Sequence, residues 1–184
     1  MAYRNGTYIA FHADGTNEVG KSDLKYYNLI KAWTAKTDDD FSFVDSHDKT
    51  SSVRDGSKRD TLRRSLAQRL NSSKNLVLII GPTTKNDTDW VPFEIEQAID
   101  NYQLPIIVAY TGYKYILNPG SHSDLWPKAL AARIRSKTAK IIHIPFKKEA
   151  VSTAISQYSA HKENTLGPLS YYTKATYQKW GYMD

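Results

Sequence analysis

Residues 76–95 read LVLIIGPTTKNDTDWVPFEI, and this stretch decides the fold that the sequence predicts. Its first five residues are all apolar, as expected for a strand that is buried on both faces of a parallel sheet. A loop containing Gly81 and Pro82 follows. Asp89 could then cap a helix in which Pro92 is tolerated only near the start. The stretch therefore predicts a strand, a loop and a helix, which is the opening of a βαβ unit.

Other short apolar segments continue this pattern along the chain. The candidate strands are residues 8–11, 41–44, 76–80, 105–110 and 140–144. They start about 30 to 35 residues apart, which is the length of a strand, a crossover helix and two loops. Apolar residues at helical spacing lie between them, most clearly Leu62, Leu66 and Leu70. We predict a flavodoxin-like three-layer α/β sandwich with a five-stranded parallel sheet in the order 2-1-3-4-5.

The end of the chain departs from this rhythm. We expect residues 1–160 to form the α/β domain and residues 161–184 to be a C-terminal extension. Large aromatic side chains are crowded in this extension, and they are Tyr171, Tyr172, Tyr177, Trp180 and Tyr182. Because these rings would form an exposed apolar patch if they were left in water, we expect the extension to pack on the domain.

Composition narrows the classes of function. The 184 residues include no cysteine, which excludes thiolate nucleophiles and cysteine-ligated metal sites. No apolar run approaches the ~20 residues of a membrane span, and the first residues lack a signal-peptide core, so we expect a cytoplasmic protein without a membrane partner. The net charge of +6 is modest, and the basic residues between 54 and 69 fit a solvated helix face. A nucleic-acid partner is therefore not favoured.

The usual nucleotide and hydrolase motifs are missing, since the sequence has no Gly-rich phosphate loop, no zincin motif and no Gly-x-Ser-x-Gly elbow. The remaining candidate is the pair Trp90 and Glu94, which are four residues apart and share one helix face. We expect Glu94 in the first turn of its helix, at the carboxyl edge of the sheet where ligands bind. Spacing alone favours a structural role, in which Glu94 stabilises the start of its helix beside a packed tryptophan.

Taken in order, these elements resemble a known family. Residues 8–14, YIAFHAD, are similar to the opening strand of TIR domains, and residues 44–80 resemble their second strand, long loop, helix and third strand. Residues 90–95, WVPFEI, match the Trp-x-x-x-Glu-aliphatic element of TIR domains that cleave NAD. The chain resembles the bacterial TIR-like branch of the Thoeris antiphage-defence type, and the resemblance covers about residues 7–160.

This resemblance implies a function and a set of site residues. Glu94 would be the catalytic carboxylate that stabilises an oxocarbenium-like ribose while the nicotinamide–ribose bond of NAD breaks. The substrate-binding residues would be Phe11, His12, Asp45, His47, Thr84 and Trp90. NAD would be the substrate, with no cofactor and no metal, and a linear or cyclic ADP-ribose would be the signal. Self-association and an effector protein are the further partners that the resemblance implies.

Two alternatives stay open from the sequence. The domain could be a non-catalytic module for protein interaction in signal transduction, or another small-nucleotide or N-glycoside enzyme on the same fold. An enzyme predicts that Glu94 faces an open cleft among polar neighbours. An interaction module predicts that Glu94 is neutralised by a salt bridge and that the loop after residue 44 makes contacts.

Overall fold

A computed structural model describes residues 4–13, 23–34, 43–44 and 56–184 of the chain. Its strands form one sheet in the order β2-β1-β3-β4-β5-β6, and every adjacent pair is parallel. The strands are β1 (Gly6–Ala10), β2 (Phe43–Val44), β3 (Ser73–Ile80), β4 (Ile106–Tyr110), β5 (Ile141–Pro145) and β6 (Ser170–Tyr171). The predicted fold class and the order 2-1-3-4-5 are confirmed. The short sixth strand was not predicted, because a two-residue strand carries no apolar periodicity.

Helices cover both faces of the sheet. They are α1 (Leu24–Thr34), α2 (Gly56–Asn71), α3 (Trp90–Glu96), α4 (Lys128–Arg135), α5 (Lys148–Gln157) and α6 (Lys174–Lys179). A π-helical segment, Gln97–Asn101, continues α3, and short 3-10 helices span Thr84–Asn86 and Pro119–Leu125. Among the described residues, no helix is long and apolar enough to cross a membrane.

The alternation of side chains along the strands produces two separate cores. Tyr8, Leu76 and Leu78 face the side of the sheet that α2, α3 and α4 cover. Ile9 and Val77 face the opposite side, where α1 and α5 pack. All five of these side chains are fully buried. The continuous apolar run of β3 is therefore explained by burial on both faces.

Residues after α5 pack against the rest of the structure. Tyr177 of α6 is fully buried and its hydroxyl donates to the carbonyl of Ile116 at 3.2 Å. Tyr172, Trp180 and Tyr182 pack against the core on the α1 and α5 side. The rings of Tyr172 and Trp180 meet edge to face, with centroids 5.1 Å apart, which is a favourable aromatic geometry.

A buried histidine also connects the sheet to this C-terminal segment. His143 of β5 bonds through Nε2 to the carbonyl of Pro168 at 3.0 Å, so Nε2 carries the proton. Nδ1 then accepts from the Tyr110 hydroxyl at 2.8 Å, and that hydroxyl accepts from Trp126 Nε1 at 2.7 Å. Burial is the main cause that lowers the pKa of His143 to about 4. The imidazole is therefore neutral at pH 7.

Candidate functional site

Glu94 is buried and hydrogen-bonded to the sheet. Its side chain is 0% exposed, and Oε1 accepts a hydrogen bond from the Tyr8 hydroxyl at 2.5 Å. Tyr8, on β1, is also 0% exposed. Burial, followed by the negative charge of Glu94 and the hydrogen bond to it, raises the pKa of Tyr8 well above its usual value. The phenol therefore stays protonated and acts as the donor to the carboxylate.

This arrangement differs from the expected one in two ways. The sequence predicts Glu94 in the first turn of its helix. Helix α3 starts at Trp90, however, so Glu94 lies after the first turn. Its carboxylate also meets β1 and is shielded from solvent, whereas an open cleft was expected of an enzyme. The reason is that the face of α3 carrying Glu94 packs toward the core that Tyr8 enters, which helical spacing alone does not reveal.

Acidic side chains hold the start of α3. Asp89 occupies the N-cap position as predicted, but its side chain makes no capping bond. Instead, Oδ1 of Asp87 accepts from the backbone amides of Asp89 and Trp90, each at 2.9 Å. This leaves the Asp89 carboxylate for Arg59 and Arg63 of α2, which both contact its Oδ1. Arg59 and Arg63 therefore pair with α3, whereas the sequence predicts a solvated face for the basic residues between 54 and 69.

The same arginines pack on aromatic rings of α3. The guanidinium of Arg59 lies 5.6 Å from the Trp90 ring centroid, and that of Arg63 lies 5.4 Å from the Phe93 centroid. Both distances are within the range of cation–π contacts. Trp90 is only 8% exposed and belongs to the core. Trp90 therefore packs in the core, with Arg59 of α2 over its ring.

A cluster of polar residues, centred on Thr84 and Asp23, lies where β1 and β3 end. Thr84 is fully buried, and its hydroxyl donates to Oδ2 of Asp23 at 2.8 Å while accepting from the Gly81 amide at 2.7 Å. A side chain at Gly81 would not fit, because a Cβ there would lie 1.9 Å from Oδ1 of Asp23. The backbone amide of Asp23 in turn donates to the His12 carbonyl at 3.1 Å. Asp23 thus ties together both strand ends.

Phe11 and His12 continue β1 toward this group. Phe11 is 1% exposed and stacks on Tyr27 of α1 with centroids 5.0 Å apart, so its ring belongs to the core. The His12 ring is partly exposed, and its Nδ1 lies 3.1 Å from the Thr83 hydroxyl oxygen. Asp45 and His47, the other residues expected to bind substrate, lie outside the described residues.

Four of the predicted site residues fall into two groups. His12 and Thr84 come together at the carboxyl ends of β1 and β3, with Asp23 between them. Glu94 and Trp90 belong to the side of the sheet that α2 and α3 cover. Among the described residues, no cluster of three His, Asp or Glu side chains could hold a metal ion.

Sequence reasoning missed Tyr8 and Asp23. Tyr8 looked like one apolar residue of a buried strand, and nothing in the local pattern shows that its hydroxyl meets a residue 86 positions away. The sequence does contain a pattern that points to Asp23, because an acidic residue immediately before an apolar stripe at helical spacing is typical of a helix start.

Comparison with known families agrees with this architecture. Residues 8–115 match the family model described as Thoeris protein ThsB, TIR-like domain. The match covers more than half of the 184 residues. The chain belongs to the Thoeris ThsB TIR-like domain family. The resemblance predicted from the sequence is thereby confirmed.

Membership supports a signalling role in defence for this TIR-like domain and is compatible with NAD processing. The matched segment contains the ends of β1 and β3, where His12 and Thr84 lie, and all of α3. It ends before α4, so the C-terminal segment is outside the matched residues.

Proposed function

We propose that this TIR-like domain cleaves the nicotinamide–ribose bond of NAD, with Glu94 as the catalytic carboxylate. The observation that carries the proposal is the buried pair of Tyr8 and Glu94 in a chain of this family. A carboxylate held away from water stabilises a nearby positive charge more strongly than an exposed one, because little solvent screens it.

The chemistry uses this property. When the bond between nicotinamide and C1′ of the ribose breaks, its electron pair leaves with the nitrogen, and nicotinamide departs as a neutral molecule. The ribose becomes oxocarbenium-like, and the Glu94 carboxylate stabilises that charge. Water then adds at C1′ and loses a proton, or a nucleophilic atom of the same molecule adds there. The first route yields linear ADP-ribose, and the second yields a cyclic form as the signal.

Substrate must reach a carboxylate that is 0% exposed here. Tyr8 donates to Glu94 in the way that a ribose hydroxyl would, so substrate binding exchanges one hydroxyl donor for another. This exchange requires α3 to move relative to β1. We propose that self-association of the domain accompanies that movement, with His12 and Thr84 contributing polar contacts to the bound nucleotide.

Nicotinamide release from NAD by concentrated protein tests the proposal. Glu94→Gln keeps an oxygen that accepts from Tyr8 and removes the charge, so turnover should fall by ~100-fold or more. Glu96→Gln is the matched control, because Glu96 lies on the same helix with half of its side chain exposed. We expect this control to retain wild-type turnover. Equal activity in wild type and Glu94→Gln would contradict the assignment.

Burial of Glu94 favours a second candidate, a non-catalytic interaction module. In that case the Tyr8–Glu94 bond only joins α3 to β1. The same assay separates the two candidates: if clustered wild-type protein releases no nicotinamide above a protein-free blank, the interaction module is the correct function.

A further inference from the structure

A cavity of about 580 Å³ lies at the amino-terminal edge of the sheet, opposite to the edge where β1 and β3 lead into His12 and Thr84. Its walls come from residues that precede strands, such as Arg4 before β1 and Lys140 before β5, and from the segment after α5, including Ser159 and Lys162. The volume is within the ~300–1,000 Å³ of small-molecule sites. We refer to it as the amino-edge cavity.

Positive charge dominates this cavity. Its lining includes Arg4, Lys140 and Lys162, and the carboxylate in the lining is Asp100. Asp100 is already paired, because both carboxylate oxygens accept from Arg133, with Nε at 3.0 Å from Oδ1. That hydrogen bond lowers the pKa of Asp100. Among the described residues that line the cavity, no unpaired carboxylate balances these cations.

The helix ends at this edge do not cancel the positive charge. Their carbonyl oxygens would repel an anion, but several are engaged by donors. Arg4 Nη1 donates to the Tyr102 carbonyl at 3.1 Å, and Lys162 Nζ donates to the Ser156 carbonyl at 2.9 Å. These bonds also fix the two cations in place. A guanidinium has five N–H donors and an ammonium has three, so both retain donors for a ligand.

A buried hydroxyl adds a second, independent observation. Ser159 is 5% exposed and lines the cavity, and its Oγ accepts from the His161 amide at 3.2 Å. Within the described part of the chain, this hydroxyl donates to no protein acceptor. Because Ser159 lines the cavity, its hydroxyl hydrogen can be donated to an oxygen of a ligand there.

We propose that the amino-edge cavity binds a small molecule that carries linked phosphate groups. Arg4, Lys140 and Lys162 neutralise its charge, and the Ser159 hydroxyl donates to one of its oxygens. Phosphate oxygens suit this combination because they accept several charge-assisted hydrogen bonds at once. The site is independent of Glu94 and of the function proposed above.

Calorimetric titration of the full chain with inorganic pyrophosphate, at constant low ionic strength, tests this proposal. Lys140→Gln should weaken binding by about tenfold or more, the loss expected for one charge-assisted hydrogen bond. Ser159→Ala should also weaken binding. Lys128→Gln is the control, because Lys128 is an exposed lysine of α4 outside the cavity lining. This variant and Glu94→Gln should bind as wild type does.

The outcome that overturns the proposal is equally specific. Absence of binding to wild type refutes it, and so does binding that Lys140→Gln and Lys128→Gln weaken equally, since that reports general charge attraction. Lys162→Gln is a second cavity variant if Lys140→Gln fails to fold. The effect of Glu94→Gln on NAD cleavage does not affect pyrophosphate binding in the amino-edge cavity. Failure of the proposed cleavage and failure of the proposed binding site can therefore be recognised separately.

Discussion

Asn75 of β3 joins two strands and a helix, and its removal gives the sharpest test of how this fold is held together. The side chain is 0% exposed. Its Oδ1 accepts from the Thr7 hydroxyl of β1 at 2.8 Å, and its Nδ2 donates to the carbonyls of Ile155 and Tyr158 at 3.1 and 2.6 Å. Those carbonyls are at the end of α5, where intrahelical donors run out.

Asn75→Ala removes all three hydrogen bonds at once. Each is worth roughly 0.5–1.5 kcal/mol net, and the Thr7 hydroxyl loses its acceptor in a buried position. We therefore expect the free energy of unfolding to fall by about 2–4 kcal/mol. For a chain of this size, that corresponds to a decrease in Tm of roughly 5–15 °C.

Urea denaturation of the variant measures this loss as a lower midpoint with an unchanged m value. Asn101→Ala is the matched control, because Asn101 is exposed and its Nδ2 bonds only to the Gln97 side chain in the described structure. It should change stability by no more than ~0.5 kcal/mol. A loss in Asn75→Ala that is below ~1 kcal/mol, or equal to that of Asn101→Ala, would refute the reasoning.

Other parts of the structure make equally direct predictions. Gly81→Ala should destabilise the domain by roughly 1–3 kcal/mol in urea, since the new Cβ would overlap Asp23, whereas Gly167→Ala, with open space around it, should not. His143 has a pKa of about 4 in the folded chain against 6.5 when unfolded, so the unfolded state takes up its proton first. Stability should therefore decline as pH falls from about 6.5 to about 4, by up to ~3 kcal/mol, and His143→Gln should flatten that pH dependence in urea titrations. Identical pH profiles for the two proteins would contradict this. Truncation after residue 160 removes fully buried Tyr177, so the melting temperature should fall, and Tyr177→Ala alone should cost roughly 3–5 kcal/mol. Tyr171→Ala, which changes a side chain that is 47% exposed, is the control, and an equal loss there would contradict the packing argument.

Strands β1 to β5 and their order followed from the sequence because they depend on local patterns of neighbouring side chains, whereas β6 and α6 were not predicted. The apolar run of β3 and the stripe of Leu62, Leu66 and Leu70 are local patterns, and each is buried as its periodicity requires. Right-handed crossovers between parallel strands then leave few possible sheet orders. Motif order along the chain was sufficient to identify the family.

Only the tertiary structure determined what the candidate site residues contact. Tyr8 and Glu94 are 86 residues apart, and their hydrogen bond depends on how α3 packs against β1. Asp89 has the sequence position of a cap, yet it pairs with arginines because α2 lies beside α3 and Asp87 takes over the capping. Such contacts join elements that are distant in sequence, so no local periodicity specifies them. The fold of this TIR-like domain is encoded by patterns between neighbours, whereas the environment of its glutamate is set by packing between elements.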